Sequence, residues 1–349
     1  MRREEAARNT GTFGVELEFS LVNEDLTPAL NSSYSILHAW QRSGSMAPVC
    51  HELASFQIET NPGPWPLDRT GIATALGELQ EIVSALREIA GDYRLTLDCS
   101  PFVPRISAAD LQSPLFFTRK PKFLASARYF EQRSALLEWK NGNTLRLAGD
   151  RVIGCINEIH IHVQQPTDAE TIDFFNCLNS LGAQTCAPFE QPITVNEAPL
   201  SERCTTTRLF EEANGEWNRD HSIRRVGFLA SAVQSFAEYA AIIDSFAPIP
   251  VPAADGMPLV LDPFSSVYLW VRLRGEPGEL RVEFRPMEMS ENWKDRVCYL
   301  ADLALTFRQA HRIAPIAVTF GMAADADVSW RPAPRGVDTG DCYKCGRAR

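Results

Sequence analysis

Basic residues are in the minority: 34 Lys and Arg stand against 44 Asp and Glu, a formal charge of −10. Nucleic acid and anionic membrane are bound through clustered Lys and Arg, so neither is an expected partner, and an anionic substrate would need basic groups placed locally. Uninterrupted apolar runs of about 18 residues, the length a membrane helix requires, are absent. So are the glycine-rich phosphate loops of P-loop and dinucleotide-binding proteins, which means that any nucleotide must be held another way. No Gly-x-Ser-x-Gly turn and no convincing Cys-His pairing supplies a nucleophile. The nine cysteines are odd in number and scattered through apolar segments, as at Cys99, Cys155, Cys177 and Cys298, which fits reduced, buried thiols rather than a disulfide framework. The charged start Met1 to Glu5 has no apolar run behind it, so a cytoplasmic location is the default expectation.

What is present is the composition of a globular protein: 349 residues, 45% hydrophobic and 22% charged. No linker rich in Gly and Ser interrupts the chain between about residues 10 and 325, so one domain is expected over residues 1–330, with a loosely held tail at 331–349. Alternation of apolar and polar residues marks strands at 12–22, 55–60, 152–163, 266–274 and 279–286, and a further strand-like stretch runs from Tyr93 to Cys99. Gly275-Glu276-Pro277-Gly278 reads as the turn of a hairpin between the last two. Helical spacing appears at 70–90, where Ile72, Leu76, Leu79, Ile82, Val83, Leu86 and Ile89 form one stripe, and again at 122–135, 169–181, 232–245 and 295–313. Together these predict an α/β (α+β) protein with a mostly antiparallel sheet and helices on its outer face.

Because side chains alternate across a strand, four strand candidates each put polar groups on one face: Glu16 with Glu18, Gln57 with Glu59, His160 with His162, and Glu283 with Arg285. Each pair has an ordinary reading. Glu-x-Glu suits a solvated face, His-x-His occurs in cores and in zinc sites, and Glu283 with Arg285 could be a plain ion pair. A solvated face would show more Lys, Thr and Ser, however, and stacked carboxylates repel one another unless cations neutralise them. The four pairs in conjunction therefore imply a cation cluster.

These residues, taken in order, resemble the glutamate-cysteine ligase family of the second type, whose fold is similar to that of glutamine synthetase. The resemblance runs through Gly14 to Phe19; Glu52, Glu59 and Thr60; His160 to Val163; Trp270 to Arg272; and Leu280 to Arg285, and it spans roughly residues 12 to 310. It implies that Glu16, Glu18, Glu52, Glu59, His160 and Glu283 ligate magnesium, or manganese in its place, between ATP and an amino-acid substrate. It implies that Arg285 meets the transferred phosphoryl group, with Glu283 beside it as catalytic residues. Arg208 and Thr207, from the stretch Thr205 to Arg208, and Arg272 and Gln57 are then expected to contact nucleotide or substrate. Two departures stand out: Glu158 occupies a position where the family carries a small or apolar residue, and Pro286-Met287-Glu288-Met289 replaces the usual ending after Arg285.

The reaction implied is an ATP-dependent joining of a carboxylate, such as the side chain of glutamate, to an amine such as cysteine. Its partners would be small molecules, and assembly into a homo-oligomer is left open. Two rival readings stay in view: a metallohydrolase built on Glu158, His160 and His162, and a non-catalytic relative that binds a partner. Cys342 and Cys345 lack a second ligand pair and read as an unpaired tail motif. Arg224 and Arg225 read as surface charge, His38, His221 and His311 as structural groups, and His51 beside Glu52 as a candidate of interest.

Overall fold

One strand organises the architecture. In the computed structural model, β1 (Thr12–Val22) pairs antiparallel with four others: β3 (Gln57–Thr60), β4 (Trp65–Pro66), β5 (Thr96–Asp98) and β6 (Glu158–Gln164). The structure describes residues 10–120, 123–124, 134–201, 205–213, 225–229, 231–246, 249–251, 259–261, 264 and 267–313. With β2 (Val49–His51), β7 (Val271–Arg274) and β8 (Arg281–Glu288), an eight-stranded sheet forms, ordered β7-β8-β6-β1-β3-β2 with β4 and β5 also on β1. Every pairing in it is antiparallel.

The odd-numbered side chains of β1, Phe13, Val15, Leu17, Phe19 and Leu21, are buried in a single apolar core. Each contributes roughly 1.5–3 kcal/mol by leaving water. The longer helices are α1 (Ser32–Arg42), α2 (Arg69–Asp92), α3 (Asp168–Leu181), α4 (Thr206–Ala213), α5 (Phe236–Asp244) and α6 (Trp293–Ile313). Of these, α2 packs on β4 and β5, α3 on β7 and β8, and α6 on β6 and on both α2 and α3. The stripe read from sequence is the buried face of α2, with Ile72, Leu79, Ile82, Val83 and Leu86 inside. Its start is fixed by Asp68, whose side chain accepts a hydrogen bond from the Gly71 amide at 2.8 Å. A Cβ at position 71 would run into the carbonyl of Pro66, so only glycine lets the helix sit this close to β4.

Several elements differ from expectation. Residues 152–157 are not strand: a helical turn at Gly149–Ile153 precedes β6, and the Cys155 carbonyl and Asn157 amide bond instead to Val103 and Pro101. Strand β3 starts at Gln57 rather than 55. Of the helix expected at 122–135, Phe123 and Leu124 are helical, Lys122 and residues 125–133 lie outside the described residues, and Ser134–Glu138 is a strand paired with Thr144–Ala148. The helix expected from 232 begins at Phe236, because Ser235 is the residue whose hydroxyl caps it, at 3.1 Å from the Glu238 amide.

The strand expected at 266–274 is divided at Trp270 into Tyr268–Leu269 and β7. Ahead of it, Ser266 lies outside the described residues. The Gly275–Gly278 turn does join β7 to β8; Gly275 adopts φ of 95° and its missing Cβ leaves room for the Glu279 carbonyl. Pro286, which has no amide proton to give the ladder, lies where the register of β8 on β6 shifts between Phe284 and Met287. Arg224, His221, Cys342, Cys345 and the 331–349 tail lie outside the described residues.

Candidate functional site

Register brings the four sequence pairs onto one sheet face. Glu18 faces Glu59, Glu16 faces His160, His162 faces Glu283, and Glu283 faces Arg272, all as direct cross-strand partners. Position 14, next on this face, is a glycine opposite His162, so the row of side chains stops there. A cavity of about 810 Å³ opens at that end, lined by Gly14, Glu16, Asn61, His162, Gln164 and Arg281 among others.

Glu16 holds both imidazoles. One oxygen is 2.8 Å from His160 Nδ1 and the other 2.8 Å from His162 Nε2. Burial pushes the Glu16 carboxyl up, but these two hydrogen bonds outweigh it and hold the group well below the usual carboxylate range. An ionised Glu16 only accepts, so the ring nitrogens facing it are the protonated ones. His160 Nε2 then stands 3.5 Å from Glu158 and 3.8 Å from Glu18, buried and without a hydrogen-bond partner. Burial lowers the affinity of His160 for a proton, yet the carboxylates of Glu158 and Glu18 beside it and its hydrogen bond to Glu16 raise it well above the ordinary value.

Towards β2 the face is acidic. The Glu18 carboxyl accepts the Glu158 amide at 2.8 Å and is pushed up to about 8, by burial first and then by Glu52 and Glu158. Glu59 is pushed up to about 9 by burial and by the charges of Glu52, Glu16 and Glu18. Among the described residues, the Asn61 amide at 3.2 Å and the Cys50 thiol at 4.0 Å are the groups that reach it.

Towards β7 the face is basic. Glu283 is bracketed by Arg274 at 2.5 Å, Arg285 at 3.6 Å and Arg272 at 3.7 Å. Burial would raise its carboxyl, but the guanidiniums hold it far below the normal range. Arg272 and Arg285 lie over the Tyr268 ring, at 5.3 and 5.8 Å from its centre, and each keeps a buried nitrogen with no hydrogen-bond partner. Burial first, and then the charge of Arg285, pull the Arg272 pKa down to about 9.

The donor set suits a divalent cation. Burial and the nearby charge of Glu52 raise the proton affinity of both Glu18 and Glu59, and the orphaned His160 Nε2 points among the acids. As the side chains stand, no group of three or more His, Cys, Asp or Glu among the described residues closes into a metal-holding arrangement. Glu16 and Glu283, expected as ligands, are engaged by imidazoles and guanidiniums. The Glu158, His160, His162 set of the hydrolase reading does not assemble on one metal either, since His162 turns its Nε2 to Glu16.

Other expected residues fall away from the row. Gln57 shares the face but is fully buried and spent on structure, donating to the Ile156 carbonyl at 2.7 Å and to Asn157 at 3.1 Å while accepting the Ala54 amide at 3.1 Å. Arg208 lies along its own helix on Glu212 at 2.7 Å. Thr207 lines a small recess with Cys186, Glu288 and Arg296. His51 bonds Ser33 at 2.9 Å and stacks on Tyr34, so it serves the fold, while His311 pairs with Asp173 at 2.9 Å. Sequence reasoning missed Arg274, although alternation with Arg272 on β7 was the available signal, and Tyr268, for which no pattern existed.

An acidic and imidazole-bearing antiparallel sheet face with arginines at one edge is thus common ground between the sequence resemblance and the geometry. The chain belongs to glutamate-cysteine ligase family 2, whose profile matches residues 12–188, just over half of its length. Among solved structures it is similar to a bifunctional glutathione synthetase from Pasteurella multocida, at 12% identity and a TM-score of 0.48 over 88% of this chain and 39% of that one. It is also similar to a glutamate-cysteine ligase from Francisella tularensis solved with AMP, at 12% identity and a TM-score of 0.47, covering 86% of this chain and 71% of that one. A novel glutamine synthase homolog is matched at 15% identity and a TM-score of 0.33, over 90% and 59% of the two chains. This chain therefore spans well under half of the first of these proteins and less than two thirds of the last. No curated protein matches it. No helix among the described residues is long and apolar enough to cross a membrane.

Proposed function

We propose that this chain is an ATP-dependent carboxylate-amine ligase that activates the side-chain carboxylate of glutamate, or of a similar acid, and joins it to an amine such as cysteine. The observation that carries this reading is the gradient along one sheet face, from three arginines around Glu283 through the Glu16-bridged imidazoles to the carboxylates Glu18 and Glu59. Family membership supports it.

A carboxylate does not react with an amine in water, because its carbonyl carbon is electron-rich and hydroxide leaves poorly. Phosphorylation removes the obstacle. A carboxylate oxygen attacks the γ-phosphorus of ATP, the bond to the bridging oxygen breaks, and ADP leaves; the amine nitrogen then attacks the acyl carbon, phosphate departs with the electron pair, and a proton is released. The polyanion belongs at the arginine edge, with its nucleoside in the cavity beside Asn61 and Gln164. Arg272 and Arg285, whose spare nitrogens are buried, would take the phosphoryl oxygens, with Glu283 fixing the direction of both guanidiniums. Glu16 fixes the two imidazoles. Glu18, Glu52 and Glu59, with His160 Nε2, would hold magnesium, which when bound supplies the positive charge that lets donor carboxylate and phosphates approach. No side-chain nucleophile is required.

We place catalysis in one unit within residues 1–330 acting on small molecules in the cytoplasm. The test is ADP release from ATP and magnesium over pooled amino acids and amines, with Arg285→Ala as control. Release that depends on both an acid and an amine, and that falls at least about a hundredfold in the variant, supports the reading. Stoichiometric bound zinc with no ADP release from any pool would sink it in favour of a hydrolase.

A further inference from the structure

Asn157 is fully buried at the entry to β6, and every polar group it carries has a partner. Its side-chain nitrogen donates to Ser20 Oγ at 3.0 Å and to the Ser100 carbonyl at 2.9 Å, while its side-chain oxygen accepts Gln57 Nε2 at 3.1 Å. Its main chain donates to the Pro101 carbonyl at 2.9 Å and accepts the Met289 amide at 3.0 Å. One residue thus ties β1, β3, the loop at Ser100 and Pro101 and the chain leaving β8 to a single point. Aspartate there would lose both donors, and leucine, of similar size, all three side-chain bonds.

The anchoring sets the direction of the next amide. Pairing of β6 with β1 ends at Ile159 and Leu17, and the amide that follows along β6, that of Glu158, donates to Glu18 Oε2 at 2.8 Å. This amide and the Asn157 carbonyl belong to one planar peptide, so the Met289 bond on one side and the Asn157 side-chain bonds together fix where the Glu158 N–H points. That bond occupies one oxygen of Glu18. The other, Oε1, stands 3.8 Å from His160 Nε2, which is buried and has no hydrogen-bond partner. A carboxylate held in this way presents a single oxygen in a set direction, whereas a free one must first be ordered by the cation it meets.

We infer that Asn157 is a positioning residue for the divalent cation: it fixes the Glu158 amide against Glu18 Oε2 and so keeps Oε1 turned towards His160 Nε2. This rests on the cation site of the ligase reading above. The experiment measures Mn2+ binding by calorimetry, without nucleotide, to wild type, Asn157→Ala, Glu18→Gln and the double variant, each first checked for a cooperative unfolding transition in EDTA. Asn157→Ala is expected to weaken Mn2+ binding about tenfold to a hundredfold. In the Glu18→Gln background the same change should weaken it less than about threefold, because its effect passes through that carboxylate. Wild-type affinity in folded Asn157→Ala overturns the inference, and so does an equal loss in both backgrounds, which is what a merely structural role would give. If Asn157→Ala does not fold, Ser20→Ala takes its place, since it removes one of the three side-chain partners. A loss of about threefold or more that disappears beside Glu18→Gln is then expected, and unchanged binding counts against the inference. Wild-type affinity in Glu18→Gln alone removes Glu18 as a ligand and overturns the inference with it. Absence of Mn2+ binding by wild type is a separate failure, that of the cation site itself, and takes the inference with it.

Discussion

Arg274 Nε lies 2.5 Å from Glu283 Oε2, the shortest of three guanidinium contacts that one buried carboxylate makes. Glu283 is thereby the counter-charge for the whole basic edge. Glu283→Gln keeps the shape and removes the charge, leaving Arg272 and Arg285 buried without their nearest carboxylate. Stability should drop by about 3 kcal/mol, read by urea unfolding, and ADP release should be lost. ADP release at the wild-type rate would refute the placement of Glu283 in the site.

Glu59 presents the complementary case. Burial and neighbouring acids push its carboxyl up to about 9, so at neutral pH without a cation the group carries a proton, and glutamine mimics it. Glu59→Gln should therefore fold as well as wild type in EDTA. Saturating magnesium should raise wild-type stability by about 2–3 kcal/mol and the variant by far less, measured as the shift in Tm. Equal shifts would remove Glu59 from the cation site.

Asp98, the cross-strand partner of Ser20 at the end of β1 away from the cavity, gives a pH test on the same face. It accepts the Ser100 amide and hydroxyl at 3.0 Å each, yet burial outweighs these bonds and pushes its carboxyl up to about 6. A folded-state value above the unfolded one means that its contribution is fully present at low pH and is lost as pH rises through about 6. Asp98→Asn, which can still accept from Ser100, should abolish this slope between about pH 4 and 6 and leave the protein about 1–2 kcal/mol more stable at pH 7.5 than wild type. A variant whose stability tracks wild type across that range would contradict it.

Gly71→Ala tests the seat of α2 against β4. Alanine normally favours a helix over glycine, but here its Cβ meets the Pro66 carbonyl, and backbone cannot easily give way. The expected result is a loss of about 2–4 kcal/mol in chemical denaturation; a gain would mean that the helix start shifts without penalty.

How much of this was legible from sequence depends on whether a feature is periodic. The alternation of 12–22 fixed both the strand and the face carrying Glu16 and Glu18, and the stripe of 70–90 matched the buried side of α2. Reading Gln57 as a ligand-contacting group failed for a physical reason: alternation says which face a side chain takes, not whether a loop arrives to cover it, and residues 154–157 cover that part of the face. The strand expected at 152–157 failed likewise, since its backbone partners, Pro101 and Val103, are distant in sequence. That Glu283 meets three arginines rather than standing open for a metal could be seen only once β7 and β8 were paired in register.

The four ladders on β1 also bear on how this protein can vary. Insertion or deletion of a single residue within 12–22 would turn Glu16 and Glu18 towards the apolar core and bring Leu17 and Phe19 into the site, while breaking pairing with four neighbours at once. Changes of length are therefore confined to the connections between strands, and substrate preference can be retuned at the rim of the sheet while this one segment keeps its count.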